Sequence, residues 1–350
     1  MQERLLSVLL ILCLAAAALF GCVKPVETVE VMPTGVPTAK PVETAAPTEA
    51  PEETAAPEQG YRFVDHVEAA DLLLSERRYY DNLTQNDLNF RMQKLDATLE
   101  ELEAFTREQT RDFTEAEMAV IDDAMQKILA VCEERGYHLP ALYDVVFAKT
   151  TMHEECDAGA YTHGTKIFLG EAILNYGLRD EPVYQLYFQN VVAHELFHCL
   201  TRNHPDFRKD IYEILGFTVV EEDYVFPQEI ADAIISNPDV GHHNSYAAFE
   251  INGVMRNCVV VFTAGMFEKP GDNFFSSEQT CLVPIDTLDV MYRSEDAANF
   301  WDVFGRNTGY VIDPEETLAD NFAMLMIYGT ERDYETPELI FSIDAYLKQR

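Results

Sequence analysis

The sequence predicts an α+β domain over residues 61–350, and three observations carry that class. Residues 86–135 repeat Leu, Glu, Lys and Ala at helical spacing. Two short segments rich in β-branched and aromatic residues follow. Helical patterns then return on either side of a hairpin signal. Helices flanking a small mixed sheet are the α+β arrangement.

With 350 residues, 47% of them hydrophobic, and 21 Phe and 17 Tyr, the chain has ample material for a core. Its net charge is −36; residues 22–60 hold two Lys and seven Glu, so residues 61–350 carry −31. A surface that acidic repels phosphate backbones, which excludes nucleic acid as the natural partner.

The start of the chain is set apart. Met1-Gln2-Glu3-Arg4 precedes the apolar run Leu5 to Phe20, and Gly21-Cys22 follows. The run is too short for a lasting membrane span and has the build of a secretory signal. With its cysteine it resembles a bacterial lipoprotein signal (residues 1–21), which implies lipidation of Cys22 and an extracytoplasmic, membrane-anchored protein. Residues 22–60 are Pro, Thr, Glu, Ala and Val without an aromatic residue, and Lys-Pro-Val-Glu-Thr occurs twice. Such a segment is a disordered, semi-extended tether.

Within 61–350 a helical part spans about 61–137. One helix is expected from Asn86 to about Arg111. A second opens on the capping box Thr114-Glu115-Ala116-Glu117 and stops at Gly136. Strands are expected at Tyr143–Thr150 and Ala160–Leu169, then a helix from Pro182 through Arg202. Asn252-Gly253 between Phe249-Glu250-Ile251 and Val254–Thr263 is a hairpin signal. Helices return at 296–304, 314–328 and 336–348. Cys132, Cys156, Cys199, Cys258 and Cys281 are odd in number and lack metal-type spacing, so at least one thiol stays free.

The chemistry concentrates in His194-Glu195-Leu196-Phe197-His198. On a helix, positions i and i+4 share a face, so both imidazoles can reach one metal ion. Glu195 lies about 100° round the helix, near enough to hold a metal-bound water without being a ligand. A catalytic zinc needs a third protein ligand and one open position.

Two residues compete for third place. His204 stands at the spacing of HExxHxxGxxH, which resembles the metzincins, and Leu288-Asp289-Val290-Met291-Tyr292 resembles their Met-turn. That pattern places Gly where this chain has Thr201, because the backbone there turns with positive φ, a strain for a β-branched residue. The other candidate is Glu316 in Pro314-Glu315-Glu316-Thr317-Leu318-Ala319-Asp320. Pro314 suits a helix start, and Glu316 and Asp320 then share one face, so Asp320 can accept the free ring N–H of a ligand histidine. Glu315 is an alternative ligand with no carboxylate four residues on.

HExxH paired with a distant ExxxD helix resembles the gluzincins, the thermolysin-like group. The likeness covers two helices and about 30 residues. It implies a zincin-like core over about 138–350, with an insertion near 217–310, since 118 residues separate His198 from Glu316. It also implies Zn²⁺ on His194, His198 and Glu316, with Asp320 orienting His194. The activity implied is peptide hydrolysis on a peptide or protein substrate, Glu195 acting as general base. An oxyanion donor is sought in His242, His243 and Tyr246, or in Tyr310. The strand around Ala160–Phe168 is the implied place for a substrate to pair. A non-catalytic surface binding protein, or a purely structural metal site, is the rival from another class.

Overall fold

The structure, a computed structural model, describes residues 60–350; the signal segment, Cys22 and the tether lie outside the described residues. The first elements are β1 (Tyr61–Phe63), α1 (His66–Leu74), α2 (Arg77–Tyr80), α3 (Gln85–Met92), α4 (Leu99–Gln109), β2 (Thr110–Arg111) and α5 (Glu115–Arg135). The single helix expected over 86–111 is therefore broken. Gln93 and Asp96 take positive φ, and Thr98 opens α4 with its own capping box to Glu101. The Asn89 side chain accepts from Ala97 N at 3.2 Å and steadies the break. As expected, α5 opens on the Thr114–Glu117 box and ends on Gly136, whose φ of 69° suits a helix stop.

Next come β3 (Val145–Thr150), β4 (Ala160–His163), β5 (Lys166–Gly170), α6 (Glu171–Gly177), α7 (Pro182–Asn203) and α8 (Pro205–Glu213). The strand expected over 160–169 is a hairpin instead, because Gly164 turns the chain at φ 59° and returns β5 antiparallel to β4. In the first sheet the order is β1-β3-β5-β4, with β2 also on β3. β1 and β5 run parallel to β3, and β4 forms an edge. The sheet is thus mixed, and β1 and β2 bring strands from the part expected to be helical alone.

Both faces of this sheet are buried, and its strand residues alternate between them. Val145, Phe147, Ile167 and Leu169 join the large core around α5, α6 and α7. Val146, Ala148, Tyr161 and Phe168 face Leu73, Tyr80 and Leu102 of the N-terminal helices. Each Val, Ile, Leu or Phe among them, taken fully out of water, contributes about 1.5–3 kcal/mol.

The rest comprises β6 (Thr218–Val219), α9 (Gln228–Ala231), β7 (Ser245–Ile251), β8 (Val254–Thr263), β9 (Gln279–Pro284), β10 (Tyr292–Arg293), α10 (Phe300–Phe304), α11 (Pro314–Tyr328) and α12 (Pro337–Gln349). The segment expected as an insertion holds a second, antiparallel sheet in the order β10-β9-β8-β7-β6. Its β7–β8 turn has positive φ at both Asn252 and Gly253, the two-residue geometry their sequence predicts. At the centre, α7 packs along α11, with Leu196, Phe197, Leu318 and Phe322 wholly buried. Among the described residues no helix is long and apolar enough to cross a membrane.

Candidate metal centre

The site forms where the middle of α7 meets the first turns of α11. Pro314 starts α11, and Asp313 caps it by accepting from Glu315 N at 2.8 Å. That start aims Glu315, Glu316 and Asp320 at α7. On α7, His194 and His198 sit one turn apart with ring centroids 4.9 Å from each other.

Both histidines are held in the same way. His194 Nδ1 donates to Asp320 Oδ1 at 2.9 Å, and His198 Nδ1 donates to Glu315 Oε1 at 3.0 Å. Each Nε2 is thereby turned toward Glu316 Oε2, at 3.0 Å from His194 and 3.7 Å from His198. The carboxylates behind them are themselves held. Thr308 donates to Asp320, and Thr201, Tyr212 and Arg202 all donate to Glu315.

One ligand atom from each of His194, His198 and Glu316 lies within 4.8 Å of the others, a grouping that could hold a metal ion. His198 Nε2 is buried without a hydrogen bond, an exception among buried polar atoms. Two imidazole nitrogens and one carboxylate oxygen are a zinc donor set, and the carboxylate behind each ring fixes which nitrogen faces the ion. The residues fit the group.

Charge supports the same fit. Burial works against a charged His194, yet Asp320 and Glu316 hold its pKa well above the ordinary imidazole value. Burial raises the Glu195 carboxyl, against the pull of His194 and His198. Glu315 is the opposite case: despite its burial, His198 and Arg202 hold its carboxyl down at about 2. Glu315 is thus a satisfied anion behind His198, whereas Glu316 faces both rings.

Glu195 is buried, and its Oε2 accepts from Thr162 Oγ1 of β4 at 2.7 Å. His204 ends α7 with Nε2 at the Ala141 carbonyl, away from the cluster, and Thr201 remains helical. His242 pairs with Asp223 and Arg78 on the surface. The His243 ring packs on Phe226, and burial drives its pKa down to about 4. Tyr246 lies in β7 opposite Thr218. His242 thus links the loop before β7 to α2, while Tyr246 pairs within the second sheet. Of the expected donors, Tyr310 is the one brought beside the cluster: Asn237 Nδ2 donates to its hydroxyl at 3.2 Å and to Glu316 Oε1 at 3.4 Å.

Sequence reasoning missed Asp239. It is buried against Glu195 and His198, and its Oδ1 accepts from Thr162 N at 2.6 Å. Asn237-Pro238 marks a turn, but nothing local says where that turn docks. A cavity beside Asp239 is lined by Arg91, Glu155, Tyr161, Phe262 and Tyr310. No protein-family model matches this chain, and no curated protein or solved structure matches it.

Proposed function

We propose that the chain is a zinc-dependent peptidase of gluzincin type on a zincin-like fold, exported and anchored to the outer side of the cell membrane through Cys22. The observation that carries this reading is the convergence of His194 Nε2, His198 Nε2 and Glu316 Oε2, with a separate carboxylate behind each ring. When bound at such a donor set, zinc acidifies water and polarises a carbonyl.

The chain's own residues supply the remainder. Glu195 takes a proton from the attacking water and delivers it to the departing amine. Burial suits it to that shuttle, because it raises the proton affinity of the carboxylate, and Thr162 fixes the carboxylate's direction. Tyr310, beside Glu316, is the donor for the developing oxyanion. As the terminal strand of its sheet, β4 offers an extended peptide a backbone partner. Nucleic acid is not a substrate of so acidic a protein.

The test is zinc content and peptide hydrolysis in the purified full chain. Wild type should hold one zinc and cleave peptides from a mixed library. Glu195→Gln should keep the zinc and lose cleavage. Equal cleavage by the variant would end the proposed mechanism, and absence of zinc from wild type would end the metal reading.

A further inference from the structure

We propose that the cavity beside Asp239 sets the substrate class, taking one large apolar or aromatic side chain of the peptide close to the bond that is cut. The inference rests on the peptidase reading above and deepens it. The cavity encloses about 430 Å³ free of protein atoms, within the roughly 300–1,000 Å³ usual for ligand pockets. Three of its lining residues also border the metal centre. Asn237 Nδ2 donates to Glu316 Oε1 at 3.4 Å and to the Tyr310 hydroxyl at 3.2 Å, and Asp239 Oδ1 lies 3.8 Å from His198 Nε2.

The strand β4 sets the register. Ala160 lines the cavity, and two residues on Thr162 donates its hydroxyl to Glu195. At about 3.3 Å per residue, a peptide lying along β4 passes from the cavity to the general base within about 7 Å. Asp239 Oδ1 accepts from Thr162 N, so backbone pairing is confined to the start of β4, the stretch that lines the cavity. The side chain entering the cavity therefore belongs to a residue within about two positions of the bond that is cut.

The walls decide what enters. Phe262 of β8 and Phe274 and Phe275 of the 3₁₀ turn Phe274–Ser276 supply aromatic surface from outside the ligand helices. Asn273 fixes that turn by accepting from Phe275 N at 2.9 Å, and the Phe274 and Phe275 rings stand 4.1 Å apart. The charged residues of the lining are already spent on each other. All five N–H groups of Arg91 have acceptors, in Glu155, Asp87, Tyr79 and the Ser236 carbonyl, and Tyr79 donates to both oxygens of Glu155. Ser236 N donates in turn to Asp87 Oδ1 at 2.9 Å, which fixes the wall Ser236–Asp239 to α3. A charged side chain would find rings and an internally satisfied ion pair, whereas an apolar one gains by leaving water.

The test uses the zinc-loaded full chain and short fluorescein-labelled peptides of Ala and Gly, each with one varied residue. Anisotropy reads binding to Glu195→Gln, and mass spectrometry reads cleavage of the same peptides by wild type. At one position Phe, Tyr and Leu should be favoured over Ala, Asp and Lys about tenfold or more. Ala158→Leu, which fills the cavity from the loop before β4, should bring the Phe-to-Ala ratio toward one. Phe275→Ala opens a half-buried wall and should raise the preference for Trp over Phe, and it decides alone if Ala158→Leu does not fold. No preference in binding, a preference for Lys, or ratios unchanged in the folded variants would overturn the pocket, while cleavage of the same peptides would keep the peptidase reading. Selective binding with no cleavage by wild type would keep the pocket and end the peptidase reading.

Discussion

Thr201 donates its hydroxyl to Glu315 Oε1 at 2.6 Å, tying the helix of the two histidines to the first turn of the helix that carries Glu316. The position at which the metzincin pattern turns the chain with glycine instead holds two helices in register. Glu315 also accepts from Tyr212 at 2.6 Å and from Arg202 at 3.2 Å, and it receives the His198 ring N–H. Removing its charge should loosen His198 without removing a ligand. Glu315→Gln is expected to weaken zinc binding about 10–100-fold, the usual cost of losing the group behind a ligand histidine. Thr201→Val removes one of several donors and should cost about 1 kcal/mol of stability. Competition with a chelator measures the first effect and urea unfolding the second. Unchanged zinc affinity in Glu315→Gln would mean that His198 is not a ligand.

The ligand set itself is separable. Glu316→Gln should abolish stoichiometric zinc, since a neutral amide is a poor zinc ligand compared with a carboxylate. His204→Gln should leave zinc in place, because His204 Nε2 is engaged with the Ala141 carbonyl at the end of α7. Metal analysis of the two purified variants checks both. The opposite pattern would restore the metzincin alternative.

What could be read in the sequence was local. Pro314 and Gly329 bound α11 as punctuation predicts, and the Thr114 box and the Asn252-Gly253 turn act over a few residues. The helix over 86–111 failed on a signal of the same kind: Thr84-Gln-Asn-Asp87 and Thr98-Leu-Glu-Glu101 are two capping boxes and mark two helix starts, not one. Asp239 is different in nature. Its partner Thr162 is 77 residues away, and no periodicity or turn chemistry relates them. His243 and Tyr246 stand out in the sequence as adjacent polar residues alone, a signal that carries no information on what the loop packs against. The pairing of β7 with β6 puts Tyr246 in the second sheet, opposite Thr218.

The anchor of the Ser236 segment yields a stability prediction of its own. Arg91 is wholly buried and pairs with Asp87 Oδ1 at 3.0 Å and Glu155 Oε2 at 2.7 Å. Arg91→Met would fill much of the same space but leave two buried carboxylates without their cation. Loss of about 3–5 kcal/mol is expected, as for other buried pairs broken from one side. Urea unfolding of metal-free protein measures it. A loss below about 1 kcal/mol would show that water reaches these carboxylates, as it does in exposed pairs.

A last prediction concerns acid. His163 stands on β4 between Tyr79, 4.5 Å away by ring centroid, and Tyr161 at 5.5 Å. Its Nε2 is buried without a hydrogen bond. Burial, aided by the charges of Arg202, Lys166 and Arg91, drives its pKa down to about 3, against 6.5 for the free side chain. Between those values the unfolded chain binds a proton that the folded chain refuses, so unfolding free energy rises with pH. The stability associated with neutral His163 is full above about pH 6.5 and is lost as pH falls toward 3. The slope approaches about 1.4 kcal/mol per pH unit. From pH 7 to pH 5 this one group should cost wild type roughly 2 kcal/mol. His163→Phe keeps a ring among the aromatic neighbours and cannot be protonated, so its own loss over that range should be smaller by that amount. Urea midpoints at the two pH values, taken with chelator present so that His194 and His198 carry no metal in either protein, give the comparison. Equal losses would show that the fold admits a charged His163, and the ring would then have to find a partner that the native packing does not offer.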